Sequence, residues 1–286
     1  MPEDRLCFVQ FIHPGLEHQP DADGIKRWNK REHKRKFLKG QGRYFDGERV
    51  REGTFVYWGE WEPESRVVAE FPPQQTGGPA YLYEPYYVPR DSYAGLQNTD
   101  PFIFGPRFHY TGCLQHTKRG PTQLRNLSRG SVILFGSQVR SRFAVDTVFV
   151  VDGHVDHTLE DHQEGLAGVI SRTYAEVTLG PWYALPHEDQ RSFRLYFGAT
   201  YDAPVQGMFS FVPCLPLKGD SVPFERPSID IPGITNWKLQ QNYRLNPQGS
   251  LEDVRILWER TVDQVVGQDL PLGLSVNLPP GIPPAE

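Results

Sequence analysis

The stretch that most limits what this chain can fold into is residues 131–151, SVILFGSQVRSRFAVDTVFVV. Ser131-Val132-Ile133-Leu134-Phe135-Gly136-Ser137 is a short apolar run closed by small residues, and residues 143–151 form a second. Runs rich in Val, Ile and Phe and bounded by Gly and Ser read as buried β-strands. A basic turn joins them, so they predict a strand pair around which the rest packs. Elsewhere the 26 prolines and 27 glycines are spread along all 286 residues, too often for long helices.

Further strands are expected over residues 6–12, 54–58, 65–71, 102–104, 174–179, 193–200 and 208–214. Residues 81–89 are aromatic and Pro-bounded, an extended or edge segment. A short helix is expected over residues 159–171, weakened by Gly165 and Gly168. The clearest helix opens at Ser250 with a capping-box-like start. Val254, Leu257, Trp258, Val262, Val265 and Val266 follow at helical spacing, and Gly267 ends it. The expected fold is mostly β (α+β), an open or partly closed β-barrel with one or two peripheral helices. Residues 1–151 form a β-rich core. Residues 152–270 form a β-rich second half, within the same domain or a second one, and residues 271–286 a Pro-rich tail, extended and partly disordered.

The net charge of −5 gives no global attraction to nucleic acid or anionic membrane, so any such attraction must be local. Cys7, Cys113 and Cys214 are far apart and form no Cys-x-x-Cys pair, which argues against a zinc ribbon and for a reducing compartment. No stretch reaches the roughly 18 apolar residues of a membrane span. A cytoplasmic protein with no membrane partner is expected.

Local positive charge is densest over residues 26–39, where eight of fourteen residues are Lys or Arg. Arg27, Trp28, Lys34, Arg35 and Lys36 could form a phosphate-contacting surface with aromatic stacking partners. The plainer reading is a solvated loop or short helix. Trp58 and Trp61 flank Glu60 and could stack a base beside a carboxylate, or simply pack in the core. Candidate acid–base groups are Glu60, Asp100, His109 and Asp202, which only the fold could bring together. His154, His157 and His162, with Asp152, Asp156 and Asp161, could hold a metal. They also fit a polar loop entering a helix, with Thr158 as N-cap. The Gly-Lys-Ser/Thr of a phosphate loop is absent there. No metal or other cofactor is predicted. Ser210 lacks a Gly-x-Ser-x-Gly elbow, which argues against a hydrolase serine.

Residues 112–151 carry one further signal. Gly112-Cys113-Leu114-Gln115, then Lys118, Arg125 and the Gly130–Ser137 run, resemble the core of the nucleotide-modification-associated domains. The layout is also similar to PUA-like barrels of the ASCH and EVE type. The resemblance departs at Leu114, where the family has Thr after the Cys, and at Ser131, where it has Asp. It implies a PUA-like core, work on nucleic acid or modified nucleotides in a modification or defence system, and a nucleic-acid-binding role for Lys118. Three functions remain open at this stage: nucleic-acid or modified-nucleotide binding, acid–base catalysis on a nucleotide or related small molecule, and a protein-interaction module built on residues 81–88.

Overall fold

The computed structural model describes residues 4–20, 25–26, 33–72, 78–92, 96–184, 192–217, 219, 223–236, 238 and 242–281. Its strands are β1 (Cys7–His13), β2 (Ile25–Lys26), β3 (Lys36–Phe45), β4 (Val50–Gly59), β5 (Ser65–Glu70), β6 (Tyr81–Pro85), β7 (His109–Tyr110), β8 (His116–Thr117), β9 (Gly120–Pro121), β10 (Val132–Val139), β11 (Arg142–His157), β12 (Phe193–Gly198), β13 (Val212–Pro216), β14 (Asn242–Pro247) and β15 (Leu272–Val276). Its helices are α1 (His162–Gly165), α2 (Arg172–Tyr174), α3 (Gly180–Tyr183) and α4 (Leu251–Val266).

The expected pair is the hairpin β10–β11, antiparallel from Val132↔Val150 to Val139↔Arg142. β1 lies parallel to β10, and the six-stranded sheet runs β14-β1-β10-β11-β12-β7. Every residue of β1 is buried. Alternation explains how: Cys7, Val9 and Phe11 join one apolar core, Phe8 and Ile12 the other. The first core faces β3 and β4 through Leu38, Phe55 and Tyr57. The second is covered by α4 through Val254, Trp258 and Val265. Ser250 caps α4 as expected, its Oγ accepting from Asp253 N at 3.2 Å.

The second sheet runs β15-β13-β4-β3-β6-β5-β2, and β15 also pairs with β3. Strands β3, β4, β13 and β15 therefore close a ring. The fold is mostly β, as expected, with one long peripheral helix. Each sheet takes strands from both sides of residue 151, and β11 runs through that position.

Ring closure needs a residue without a side chain. A Cβ on Gly42 of β3 would lie 2.0 Å from the Ser275 carbonyl oxygen of β15. Gly53, its partner across β3–β4, would meet only Tyr44, at 3.8 Å. Gly42→Ala is expected to cost about 1–3 kcal/mol, while Gly53→Ala is neutral or stabilising. Urea unfolding of the two variants checks this, and equal midpoints would refute the closed ring.

Several expectations change. Residues 174–179 are helical: α2 passes into a π-helical turn, Ala175–Leu179, and then α3. Ser171 caps the start, with its Oγ accepting from Tyr174 N at 3.1 Å. Pro181 suits the first turn of α3. Capping and the buried Tyr174–Val177 spacing override the β-branched composition. In the expected helix over 159–171, only residues 162–165 are helical. Residues 102–104 make isolated bridges to His109 and Val276 rather than a strand. The strand expected from residue 208 begins at Val212. The tail is ordered as β15, where Leu272 and Leu274 join the core under α4 and Val276 joins the other. The basic segment gives way to a strand at Lys36.

Candidate functional site

Between the two sheets lies a group of buried ionisable side chains that no apolar core needs. Glu60 is delivered by the end of β4 and keeps only 2% of its side chain exposed. Arg35, just before β3, donates from Nη1 to Glu60 Oε2 at 2.5 Å. Its Nε stands 3.3 Å from Asp146 Oδ2. His33 Nδ1 lies 2.9 Å from Glu60 Oε1 and 3.3 Å from Glu62 Oε1. His13, ending β1, places Nδ1 3.5 Å from Glu60 Oε2 and Nε2 3.5 Å from Cys113 Sγ. Asp100 donates its backbone N–H to Glu60 Oε1 at 3.2 Å. Its carboxylate accepts from Thr111 N at 3.0 Å and Cys113 N at 2.9 Å.

Local structure explains the convergence. β10 and β11 slip register between Phe135 and Gly136, with Phe135 opposite Thr147 and Gly136 opposite Val145. Asp146 is the extra residue of this β-bulge, a device that re-aims a side chain. A Cβ on Gly136 would lie 2.1 Å from the Ala144 oxygen, so the bulge requires glycine there. Asp100 is fixed from the helical side: Thr99 N donates to Val177 O at 3.1 Å, and Thr178 Oγ1 donates to Thr99 O at 2.7 Å.

The charges are set by competition between burial and neighbours. For Glu60 burial favours the neutral form, but His33 and Arg35 outweigh it and hold the carboxyl well below the usual range. For His33 burial opposes the charge, and Glu60 and Glu62 outweigh it, so its pKa rises well above 6.5. Burial, then Arg35, push His13 well below 6.5, so it is neutral at pH 7. Burial raises Asp100 well above 3.8 despite its two amide partners. Burial likewise raises Glu62, Asp146 and the Cys113 thiol.

His33, Glu60 and Glu62 form the one metal-ligating grouping found among the described residues, their donor atoms within 4.8 Å. Protonated His33 already sits between the two carboxylates where a cation would, and Arg35 takes the remaining Glu60 oxygen. His33 and Arg35 therefore occupy the Glu60 oxygens that a cation would need. A cavity of about 10 Å³ adjoins it, lined by His13, Arg35, Glu60, Phe135 and Asp146 among others. It has room for about one water. Arg35 Nη2 and both Asp146 carboxylate oxygens make no hydrogen bond. A larger groove of about 530 Å³ lies at Lys39, Arg66, Glu84 and the 276–280 segment. Lys39 and Arg66 there are already paired with Glu84.

Of the acid–base candidates, Glu60 and Asp100 meet; the other two lie apart. His109 is buried against Tyr174 and Phe197, where burial lowers its pKa to about 4. Asp202 is exposed and paired with Arg43 at 2.6 Å. The surface reading of the basic segment is corrected for Arg35 and Lys36, which are 2% and 1% exposed. Lys36 Nζ donates to Pro63 O at 3.2 Å. Lys34 is half-buried, and Arg27 and Trp28 lie outside the described residues. Trp58 and Trp61 pack in the core, which removes them as stacking platforms. Trp58 Nε1 donates to Phe224 O and Trp61 Nε1 to Glu64 O. Lys118 is exposed in the turn between β8 and β9.

The three metal-candidate histidines do not converge. His157 contacts Thr111 Oγ1 and Tyr183 OH, His162 contacts Leu159 O, and His154 packs on Tyr196. Sequence reasoning missed His13, His33, Cys113 and Asp146. Asp146 left a signal as a carboxylate within an apolar strand, and Cys113 as part of the Gly112–Gln115 run that carries the resemblance. No helix among the described residues is long and apolar enough to cross a membrane. No family model matches the chain, and neither do any curated proteins or solved structures.

Proposed function

We propose that the protein is an enzyme acting on a nucleotide or related small molecule, with its reaction centre in the buried cluster around Glu60. One observation carries this reading. Glu60, His13 and Asp100 meet in a single buried site, where His33 and Arg35 hold Glu60 low while burial pushes His13 down and Asp100 up. Groups pushed apart in pKa by their surroundings are what acid–base chemistry near pH 7 requires. In this reading His13 is the base, Glu60 supports the imidazolium that forms, and Asp100 fixes the geometry through its bonds to Glu60, Thr111 N and Cys113 N. Static ion-pair networks also perturb pKa values, but they do not need a neutral histidine between a carboxylate and a thiol.

The nucleotide as substrate class rests on the resemblance of residues 112–151 to nucleotide-modification-associated domains. A PUA-like core belongs to the same proposal, supported by the closed ring of β3, β4, β13 and β15. A cytoplasmic setting suits the three free thiols. Nucleic-acid binding is the second reading, favoured by exposed Lys118 and Arg119 at one hairpin turn.

The test is incubation of the full chain with a panel of plain and modified nucleosides, nucleotides and short oligonucleotides, with products read by mass spectrometry. Conversion of at least one member is expected, falling at least 100-fold in Asp100→Asn of unchanged melting temperature. A panel yielding neither product nor a melting shift overturns the reading. Binding of oligonucleotides that weakens steeply with salt, without conversion, would favour the second reading.

A further inference from the structure

The acid–base reading leaves the thiol of the cluster without a role. Cys113 is half-buried, whereas Cys7 and Cys214 are fully buried. It sits in a tight turn: Gly112 has φ +43° and Leu114 φ +56°, both in the left-handed region. Four bonds hold that turn, one of them from Thr122 Oγ1 to Leu114 O at 2.7 Å. Asp100 accepts from Cys113 N, Tyr110 OH donates to Cys113 O at 2.6 Å, and Gln115 N donates to Gly112 O at 3.0 Å. A non-glycine residue in the left-handed region is strained and persists only where its surroundings enforce it.

The turn sets the thiol 3.5 Å from His13 Nε2, while His13 Nδ1 faces Glu60 Oε2 at 3.5 Å. Nucleophile, base and orienting carboxylate thus follow one another in space, from three separate segments. That order is the general signature of an activated nucleophile, and such contacts tighten when substrate binds. Phe11 and Phe135 pack on the imidazole at 4.7 and 5.8 Å between ring centroids and restrict its rotation. The charged groups facing His13 are Glu60, Arg35 and His33, and those facing Cys113 are Asp100, Glu60 and Arg35.

We infer that Cys113 is the nucleophile of this site, with His13 as its general base and Glu60 as a positioning residue, and that the substrate presents an amide-type carbon bearing an amine leaving group. The inference rests on the cluster being the reaction centre. His13 Nε2 takes the thiol proton as sulfur bonds to the carbon, and the C=O or C=N π pair moves to its heteroatom. That pair returns as the C–N bond breaks, and the amine departs with the proton from His13. Water then attacks the same carbon, giving its proton to His13. The C–S bond breaks, and the thiolate recovers that proton. The net reaction is hydrolysis, so no oxidant or further reactant is needed. The small cavity beside His13 is lined by Arg35 and Asp146, and Arg35 Nη2, which makes no hydrogen bond, suits the holding of that water.

The test needs no substrate. Native protein is treated with iodoacetamide, and alkylation at each cysteine is followed by peptide mass spectrometry. With base assistance, Cys113 alkylation changes less than threefold between pH 6 and pH 8. His13→Gln lowers its rate at pH 6.5 at least tenfold. A rate that rises about tenfold per pH unit in the wild type would mark an unassisted thiol and overturn the inference. So would rates within twofold of each other in wild type and His13→Gln. The wild-type profile decides even where the variant does not fold. In the nucleotide panel, Cys113→Ala that converts as fast as wild type removes the nucleophile and leaves the reaction centre standing. A panel that is never converted removes the reaction centre, and the alkylation profile still decides the nucleophile.

Discussion

Replacing Arg35 with methionine is expected to destabilise the protein by about 3–5 kcal/mol at neutral pH. Arg35 is 2% exposed and serves two buried carboxylates, Glu60 at 2.5 Å and Asp146 at 3.3 Å. Methionine fills a similar volume but removes the guanidinium shared by both, leaving Glu60 to His33 and Asp146 to Arg226. The cost is that of uncompensated buried charge rather than of one lost surface contact, which would be worth about 0–1 kcal/mol. It should lower Tm by roughly 6–15 °C.

The pH dependence separates this mechanism from simple loss of packing. Burial already raises Asp146 above its ordinary 3.8, while Arg226 and Arg35 pull it down. Without Arg35 it rises further. A carboxyl raised on folding contributes stability below its unfolded pKa, and that contribution is lost as pH rises through the folded value. Glu60 has the opposite sign. Held low in the wild type, it contributes stability above about 4.5 that is lost as pH falls through its depressed value. Arg35→Met gives up part of that contribution. Both effects make the deficit of Arg35→Met smallest near pH 4 and largest at neutral pH. Urea melts at pH 4, 6 and 8 check this. A deficit that is flat across that range, or below 1 kcal/mol at pH 7, would show that the cluster is not electrostatically coupled.

Phe135→Ala is expected to cost about 3–5 kcal/mol. Phe135 is 1% exposed and lies at the centre of an aromatic group, with ring centroids 4.9 Å from Phe11, 5.2 Å from Tyr110 and 6.3 Å from Phe149. It is also the residue beside the β-bulge and lines the cavity next to His13. Truncation would enlarge that cavity in a region closed by two sheets, where collapse is limited. Phe135→Leu keeps most of the volume and should cost less than about 1.5 kcal/mol. If the alanine variant lost no more than the leucine variant, Phe135 would not be a keystone between the sheets. The alanine variant should also lose the flat pH profile of Cys113 alkylation, because Phe135 helps hold the imidazole between Cys113 and Glu60.

What could be read in advance follows a physical division. Local signals were sufficient where a segment answers mainly to its own residues. The β10–β11 pair, β1 and α4 are of this kind, because Val/Ile/Phe alternation and the Ser250 cap act over a few residues. They failed where a distant partner decides. Lys36–Phe45 is a strand because β4 pairs along its whole length, not because Lys-rich sequence favours sheet. Residues 174–179 carry β-branched residues but turn helical, because the Ser171 cap and the burial of Tyr174 outweigh a weak propensity.

The site divides in the same way. Glu60 and Asp100 could be named from residue type alone, and so could His109 and Asp202, which stand elsewhere. Nothing in the chain order relates His13, Glu60 and Cys113, whose neighbours in sequence are apolar or unrelated. The chain by itself determined a β-rich protein built on a central apolar hairpin and one capped helix, since those depend on periodicity and caps. Only the tertiary structure decided that Arg35 and Lys36 turn inward, that β15 closes a ring, and that a thiol, an imidazole and a carboxylate share one site. Those outcomes depend on which strands pair and where a single bulge falls, and contacts between residues tens of positions apart leave no local trace.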